Sequence, residues 1–220
     1  MPNALVLHPT QEEVASDLHR FRVLLCGRRW GKTILAIDTI KARASIIPDS
    51  RIAYIANTYQ QARDICWEQL KKDCQDAGTL NEARLEIKLA NGSFIVLRGW
   101  EAVENLRGQA FDLIVIDEVA SMSNFWVNWQ EVLRPTLTDK KGEAIFISTP
   151  KGFNHFYDLC NQELTDKDFK TFRFTSWDNP HLPVKELERA KETLPKDRYL
   201  QEYEASFQKT AGLAIPEFSR

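Results

Sequence analysis

Cys26-Gly27-Arg28-Arg29-Trp30-Gly31-Lys32-Thr33 is the stretch whose reading decides the fold. It follows the apolar run Val23-Leu24-Leu25 and opens a segment with apolar residues at helical spacing, Ile34, Leu35, Ile37 and Ile40, the strand, loop and helix order of a phosphate-binding loop. Backbone N–H groups at such a helix start cradle phosphates, Lys32 reaches the β and γ oxygens, and the Thr33 hydroxyl ligates Mg²⁺, because a helix N-terminus and a loop nest both favour anions. The usual spacing puts a glycine where Cys26 stands, and here the glycine is moved to Gly27. A glycine turn that merely ends a buried strand is the competing reading.

Outward from the loop, the chain alternates strand and helix. Arg51-Ile52-Ala53-Tyr54-Ile55-Ala56 reads as a second strand, and Gln60 to Ala77 reads as a helix with Ala62, Ile65, Cys66 and Leu70 on one face, stopped by Gly78. That rhythm predicts a mostly parallel sheet flanked by helices. Asn57-Thr58-Tyr59-Gln60 lies at a strand's carboxyl end, where open α/β sheets place their ligands. Arg84 to Trp100, with its Asn91-Gly92 turn, predicts a β-hairpin that extends the sheet with antiparallel strands. Leu113-Ile114-Val115-Ile116-Asp117-Glu118 is a continuous apolar run, as expected of a strand buried on both faces, and it ends in two carboxylates. Asp117 can hold Mg²⁺ while Glu118 orients or deprotonates a water. Glu143 to Pro150 is another buried strand, ending in the hydroxyls of Ser148 and Thr149, which can sense a γ-phosphate.

Elsewhere the expectations are structural. Thr10 is expected to cap a first helix with Glu13, and Gln11 can present its amide to adenine. Phe125 to Leu133 reads as an amphipathic helix bounded by Pro135, its aromatics assigned to the core rather than to base stacking. Phe169 to Phe174 is a last core strand. After Trp177 the composition changes to charged helix, Lys185 to Leu194 and Lys196 to Phe207, so the chain divides into a core over 1–176 and a helical subdomain over 177–220.

With 43% hydrophobic and 27% charged residues over 220 positions, one substantial core can be buried. A net charge of -2 gives no global attraction to nucleic acid, so DNA contact requires a local basic face. Lys88, Arg98, Lys140 and Lys141 are candidates, against the plainer reading of solvated charges. Cys26, Cys66, Cys74 and Cys160 have no metal-ligand spacing and suit a reduced cytosolic chain, the four histidines are scattered, and no apolar run approaches a membrane span.

Taken together, Gly27 to Thr33, Leu106-Arg107-Gly108, the Asp117-Glu118 strand end, Ile147 to Gly152, Asn57 to Ala62 and Gln201 to Phe207 resemble the large terminase subunit of tailed bacteriophages. The shifted glycine and the arginines inside the loop are typical of that family. The resemblance implies a P-loop NTPase fold of the ASCE type with an added antiparallel hairpin and a small helical linker or lid. It implies an ATPase in which Gly27, Arg28, Arg29, Trp30, Gly31, Lys32 and Thr33 surround the phosphates of ATP, Thr33 and Asp117 bind Mg²⁺, Glu118 is the catalytic carboxylate, Gln11 lies near adenine, and Ser148-Thr149-Pro150 couples hydrolysis to motion. Arg28 and Arg107 are both candidates for the arginine finger.

The partners implied are double-stranded DNA, the portal protein, the small terminase subunit and further copies in a ring on the procapsid, with the isolated chain monomeric and no membrane involved. The implied location is the host cytoplasm, transiently at the portal and not in the mature virion. A nuclease domain is expected to follow Phe218-Ser219-Arg220, so cleavage activity is not expected of this chain. A helicase-like DNA-dependent ATPase and a nucleotide-gated assembly module with little turnover are the alternatives.

Overall fold

The computed structural model describes residues 6–209. Eight strands form one sheet in the order β3-β4-β5-β2-β6-β7-β1-β8. They are β1 (Phe21–Cys26), β2 (Arg51–Ala56), β3 (Gly78–Asn81), β4 (Glu86–Leu89), β5 (Phe94–Gly99), β6 (Leu113–Asp117), β7 (Glu143–Ser148) and β8 (Phe169–Phe174). From β5 to β8 every neighbouring pair is parallel, and β3 and β4 run antiparallel at one edge. The hairpin expectation is therefore right for β4 against β5, but β5 itself pairs in parallel with β2 and belongs to the core.

The central strands are apolar at most positions because both faces are covered. Along β1, Leu24 and Cys26 point to one core, with helix α2 (Lys32–Ile46) and a helix over 59–74, while Phe21, Val23 and Leu25 point to the other, with Trp100, Phe125, Trp129 and Phe156. Strand β6 divides in the same way, Leu113 and Val115 against Ile114 and Ile116. Because these strands are parallel, the segments that leave β1, β2, β6, β7 and β8 emerge along one edge of the sheet.

Several local expectations are corrected. The first helix, α1 (Pro9–Ser16), is capped by His8, with Gln11 completing the reciprocal box in place of Thr10 and Glu13. The next long helix starts at Tyr59, carries a π-helical turn over Arg63–Trp67 and ends at Cys74, leaving Gly78 to open strand β3. The aromatic helix does not stop before Pro135. It runs through a π turn, Trp129–Leu133, and on to Thr136. Ile34 is exposed rather than on the buried face of α2.

After β8 come a short turn, Ser176–Asp178, and helices Val184–Thr193 and Lys196–Glu202. The last helix ends before Phe207, whose ring packs on Tyr157 at 5.0 Å between centroids. The expected second unit, 177–220, is described only as far as residue 209, and Phe218-Ser219-Arg220 lie outside the described residues. Among the described residues no helix is long and apolar enough to cross a membrane.

Candidate nucleotide site

The carboxyl ends of the parallel strands frame a cleft of ≈ 470 Å³. Four cationic side chains line it, Arg28, Arg29, Lys32 and Lys151, together with the carboxylates of Glu118 and Glu202. Asn57, Gln61, Ser121 and Thr149 add neutral polar groups. The excess of cations over carboxylates suits a polyanion.

The loop between β1 and α2 supplies its floor. Gly31 has φ 110, a left-handed conformation that glycine adopts without a Cβ clash, and from there Lys32 and Thr33 open α2 with their N–H groups free of helical partners. Lys32 Nζ donates to the carbonyls of Gly27 (2.9 Å) and Cys26 (3.4 Å) and to Thr149 Oγ1 (3.1 Å). The lysine thus ties the loop to the end of β7.

Asp117 is buried at the end of β6. Its Oδ2 accepts from the Tyr54 hydroxyl at 2.8 Å and its Oδ1 from the Glu118 N–H at 2.9 Å. Burial raises its pKa, and the hydrogen bond from Tyr54 and the charge of Lys32 oppose that rise. Glu118 has φ 59, unusual for a residue with a side chain. Burial raises its pKa first and the neighbouring Asp117 adds to the rise, while Lys32, Lys151 and Arg28 pull the other way. A half-buried carboxylate with a raised pKa beside a polyanion pocket is suited to taking a proton from water.

A buried carboxylate with a threonine hydroxyl at the start of α2 is an all-oxygen donor set of the kind Mg²⁺ takes up together with phosphate oxygens. The residues therefore fit the metal. Among the described residues no group of three or more histidines, cysteines or carboxylates could hold an ion by itself.

The segment after β8 grips the loop from outside. Arg28 N–H donates to Glu202 C=O (2.6 Å), Ser176 Oγ to Arg28 C=O (2.6 Å) and Asn179 Nδ2 to Arg29 C=O (2.7 Å). The Arg28 side chain pairs with Glu202, which raises its pKa.

Four expected residues are placed otherwise. Trp30 is fully buried, stacked on Phe174 at 4.9 Å and donating from Nε1 to Thr10, so its ring wedges the loop against β8 and leaves only its backbone for a ligand. Gln11 is buried, and both ends of its amide are engaged, Oε1 accepting from His8 N–H (3.0 Å) and Nε2 donating to Gly31 C=O (2.9 Å). Nε2 keeps a second N–H and Oε1 a second lone pair, so these bonds orient the amide without exhausting it, and it is burial that stands between Gln11 and adenine. Ser148 is fully buried and accepts from Ala120 N–H. Arg107 does not line the cleft. It is exposed, pairs with Glu104 and donates to Glu131 C=O at 3.0 Å.

Sequence reasoning gave no role to Tyr54, Glu202, Ser176 or Asn179. Tyr54 did carry a signal, a hydroxyl in an otherwise aliphatic buried strand. The others are brought in by the path of the chain after β8.

Comparison with known proteins agrees with this geometry. The sequence model of the family described as terminase large subunit, T4likevirus-type, N-terminal, matches residues 23–219. The large terminase subunit of Escherichia phage T5 is 30% identical over 207 residues, which cover 91% of this chain and 47% of that protein. The chain spans about half the length of the curated relatives it matches. Among solved structures, the Thermus phage P74-26 large terminase ATPase domain superposes with a TM-score of 0.79 at 26% identity, over 92% of this chain and 94% of that one. The large terminase of another thermophilic bacteriophage, solved in complex with ADP, shares the fold at a TM-score of 0.74 and 17% identity, over 91% of this chain and 54% of that one.

Proposed function

This chain belongs to the T4likevirus-type terminase large-subunit family, and on that footing we propose that it is an ATP-hydrolysing motor domain that drives double-stranded DNA into a procapsid. The observation that carries the proposal is the meeting of Lys32, Thr149 and Glu118 in one cationic cleft, with Asp117 buried at the strand end behind them.

In this reading the free N–H groups at the start of α2 and the side chains of Lys32, Arg29 and Lys151 hold the triphosphate. Thr33 and Asp117 hold Mg²⁺, which when bound neutralises charge on the transferring phosphoryl group. Glu118 accepts a proton from the attacking water. Tyr54 keeps the Asp117 carboxylate in one orientation. Thr149 reports the position of Lys32 to strand β7. Glu202 takes only Nε of Arg28, so the terminal nitrogens of the guanidinium can meet a phosphate while the pair persists, which would link bound nucleotide to the last helix. The exposed position of Arg107 outside the cleft favours a role in a neighbouring subunit's site, which leaves Arg28 as the arginine that serves its own. The partners are then duplex DNA, the portal, the small terminase subunit and copies of the same chain in a ring, met in the host cytoplasm and at the portal.

Phosphate release from ATP by the chain, with and without Mg²⁺, tests the proposal alongside Glu118→Gln and Lys32→Ala. Loss of the general base should lower turnover by about 10² or more while ATP still binds. Lys32→Ala should weaken binding itself. Equal turnover in Glu118→Gln and the parent would refute the assignment.

A further inference from the structure

Glu118 is followed by a single 3₁₀ turn, Val119–Ser121, closed by Ser121 N–H to Glu118 C=O at 2.9 Å. Met122 N–H closes on Val119 C=O at 3.0 Å, and from outside the turn its polar groups are met by the segment 148–155 at the end of β7 and beyond. Ala120 N–H donates to Ser148 Oγ (3.1 Å), Asn154 Nδ2 donates to Ala120 C=O (2.8 Å), His155 Nε2 to Val119 C=O (2.7 Å), and Lys151 Nζ to Ser121 Oγ (2.6 Å). Val119 C=O can only accept, so Nε2 of His155 carries the proton. The His155 ring stacks on Phe125 at 5.1 Å and 17°, which fixes its plane.

The left-handed backbone of Glu118 is one that side chains rarely adopt, and it persists only where its surroundings impose it. We propose that Asn154 and His155 are positioning residues for Glu118, holding the turn behind it so that its carboxylate faces the cleft. The inference rests on the reading of Glu118 as the water-activating carboxylate. Neither residue lines the cleft, so each acts through the turn. The same segment carries Thr149, which accepts from Lys32, so the loop lysine and the carboxylate are referenced to one piece of chain.

Asn154 also caps the helix His155–Cys160, its Oδ1 accepting from Phe156 N–H at 3.0 Å. Asn154→Asp keeps that acceptor and the size of the side chain, and turns the donor to Ala120 C=O into a charged acceptor that cannot make the bond. The experiment compares the parent, Asn154→Asp, His155→Ala, His155→Gln and Glu118→Gln by steady-state ATP hydrolysis on the pH plateau, ATPγS affinity by calorimetry, and thermal unfolding.

Asn154→Asp and His155→Ala should lower kcat by about tenfold to a hundredfold, the scale of an ångström-sized misplacement, with KM and ATPγS affinity within about threefold of the parent. His155→Gln, which retains an N–H donor, should recover most of the loss. Asn154→Asp should melt with the parent. Turnover in the parent that Glu118→Gln abolishes and Asn154→Asp leaves within about twofold would overturn this inference alone. A parent that binds ATPγS without turnover would overturn the ATPase reading and this inference with it.

Discussion

Replacing Gly27 by alanine should strain the contact between the segment after β8 and the phosphate loop. A Cβ at Gly27 would stand 2.5 Å from Tyr203 C=O and 2.8 Å from both the N and the Oγ of Ser176. Two of these three neighbours are backbone atoms and cannot rotate away. They belong to a closed set of contacts, Ser176 N–H to Tyr203 C=O (2.7 Å), Arg28 N–H to Glu202 C=O (2.6 Å) and Ser176 Oγ to Arg28 C=O (2.6 Å). Keeping the contacts and absorbing the overlap costs about 1–3 kcal/mol. Giving up all three bonds, at roughly 0.5–1.5 kcal/mol each, costs about 1.5–4.5 kcal/mol. The molecule takes the cheaper course, so about 1–3 kcal/mol is expected, and at about 2–4 °C per kcal/mol for a chain of this size the melting temperature should fall by about 2–12 °C. Calorimetry measures the shift. Limited trypsin digestion should show faster cleavage at Lys185 to Arg198 than in the parent. An unchanged melting temperature with unchanged digestion would refute the reasoning, because it would mean that the close approach constrains nothing.

Two further outcomes follow from the electrostatics of the site. Burial and the Asp117 charge raise the Glu118 pKa, and a general base must be deprotonated, so the acid limb of kcat should lie above the ordinary carboxylate range, activity falling as pH drops through it. A pH–rate profile over the range where the chain stays folded checks this, and a limb at or below the ordinary glutamate value would contradict it. Tyr54→Phe removes the hydroxyl that donates to Asp117 Oδ2 and should raise the Mg²⁺ concentration for half-maximal ATPγS binding by about 10–100-fold, as loss of an outer partner of a metal ligand commonly does, with little change in metal-free nucleotide binding. Manganese titration by electron paramagnetic resonance reads the same loss without turnover, and an unaltered affinity would show that Asp117 needs no support.

Much of this was legible in the sequence because burial on both faces leaves a plain record. Strands β1, β2, β6 and β7 read as largely apolar runs and β8 as aromatics among polar residues, and Lys32, Asp117, Glu118 and Thr149 could be placed at or just beyond their carboxyl ends without knowing the strand order. Strand β3 was missed because four residues at an exposed edge, Gly78–Asn81, carry no period of their own. The two π turns and the passage of a helix through Pro135 are set by packing, which local propensity does not encode. His8 as a cap depends on a reciprocal bond with Gln11 and on its ring reaching Trp30 C=O at 2.8 Å. Trp30 looked like part of the phosphate loop by position, but the apolar face of an indole is better satisfied against Phe174. Glu202, Asn154 and His155 act on residues far away along the chain or across the sheet, and nothing local distinguishes them from ordinary surface side chains. The displaced glycine, a flaw by the generic motif, is accounted for by the carbonyl of Tyr203 lying against Gly27.

Strand β1, the first of the eight to be synthesised, is hydrogen-bonded only to β7 and β8, the last two, with Leu25 registered on Ser148 and Cys26 on Phe174. A ribosome adding about 5–20 residues per second needs on the order of ten seconds between the two events. During that time Phe21 to Cys26 is an apolar segment with both edges unpaired, a substrate for chaperones and a hazard for aggregation. It also means that the lysine loop has no floor until β8 has been made. The proposed phosphate cleft therefore cannot be complete before that point, and its wall at Glu202 is made later still.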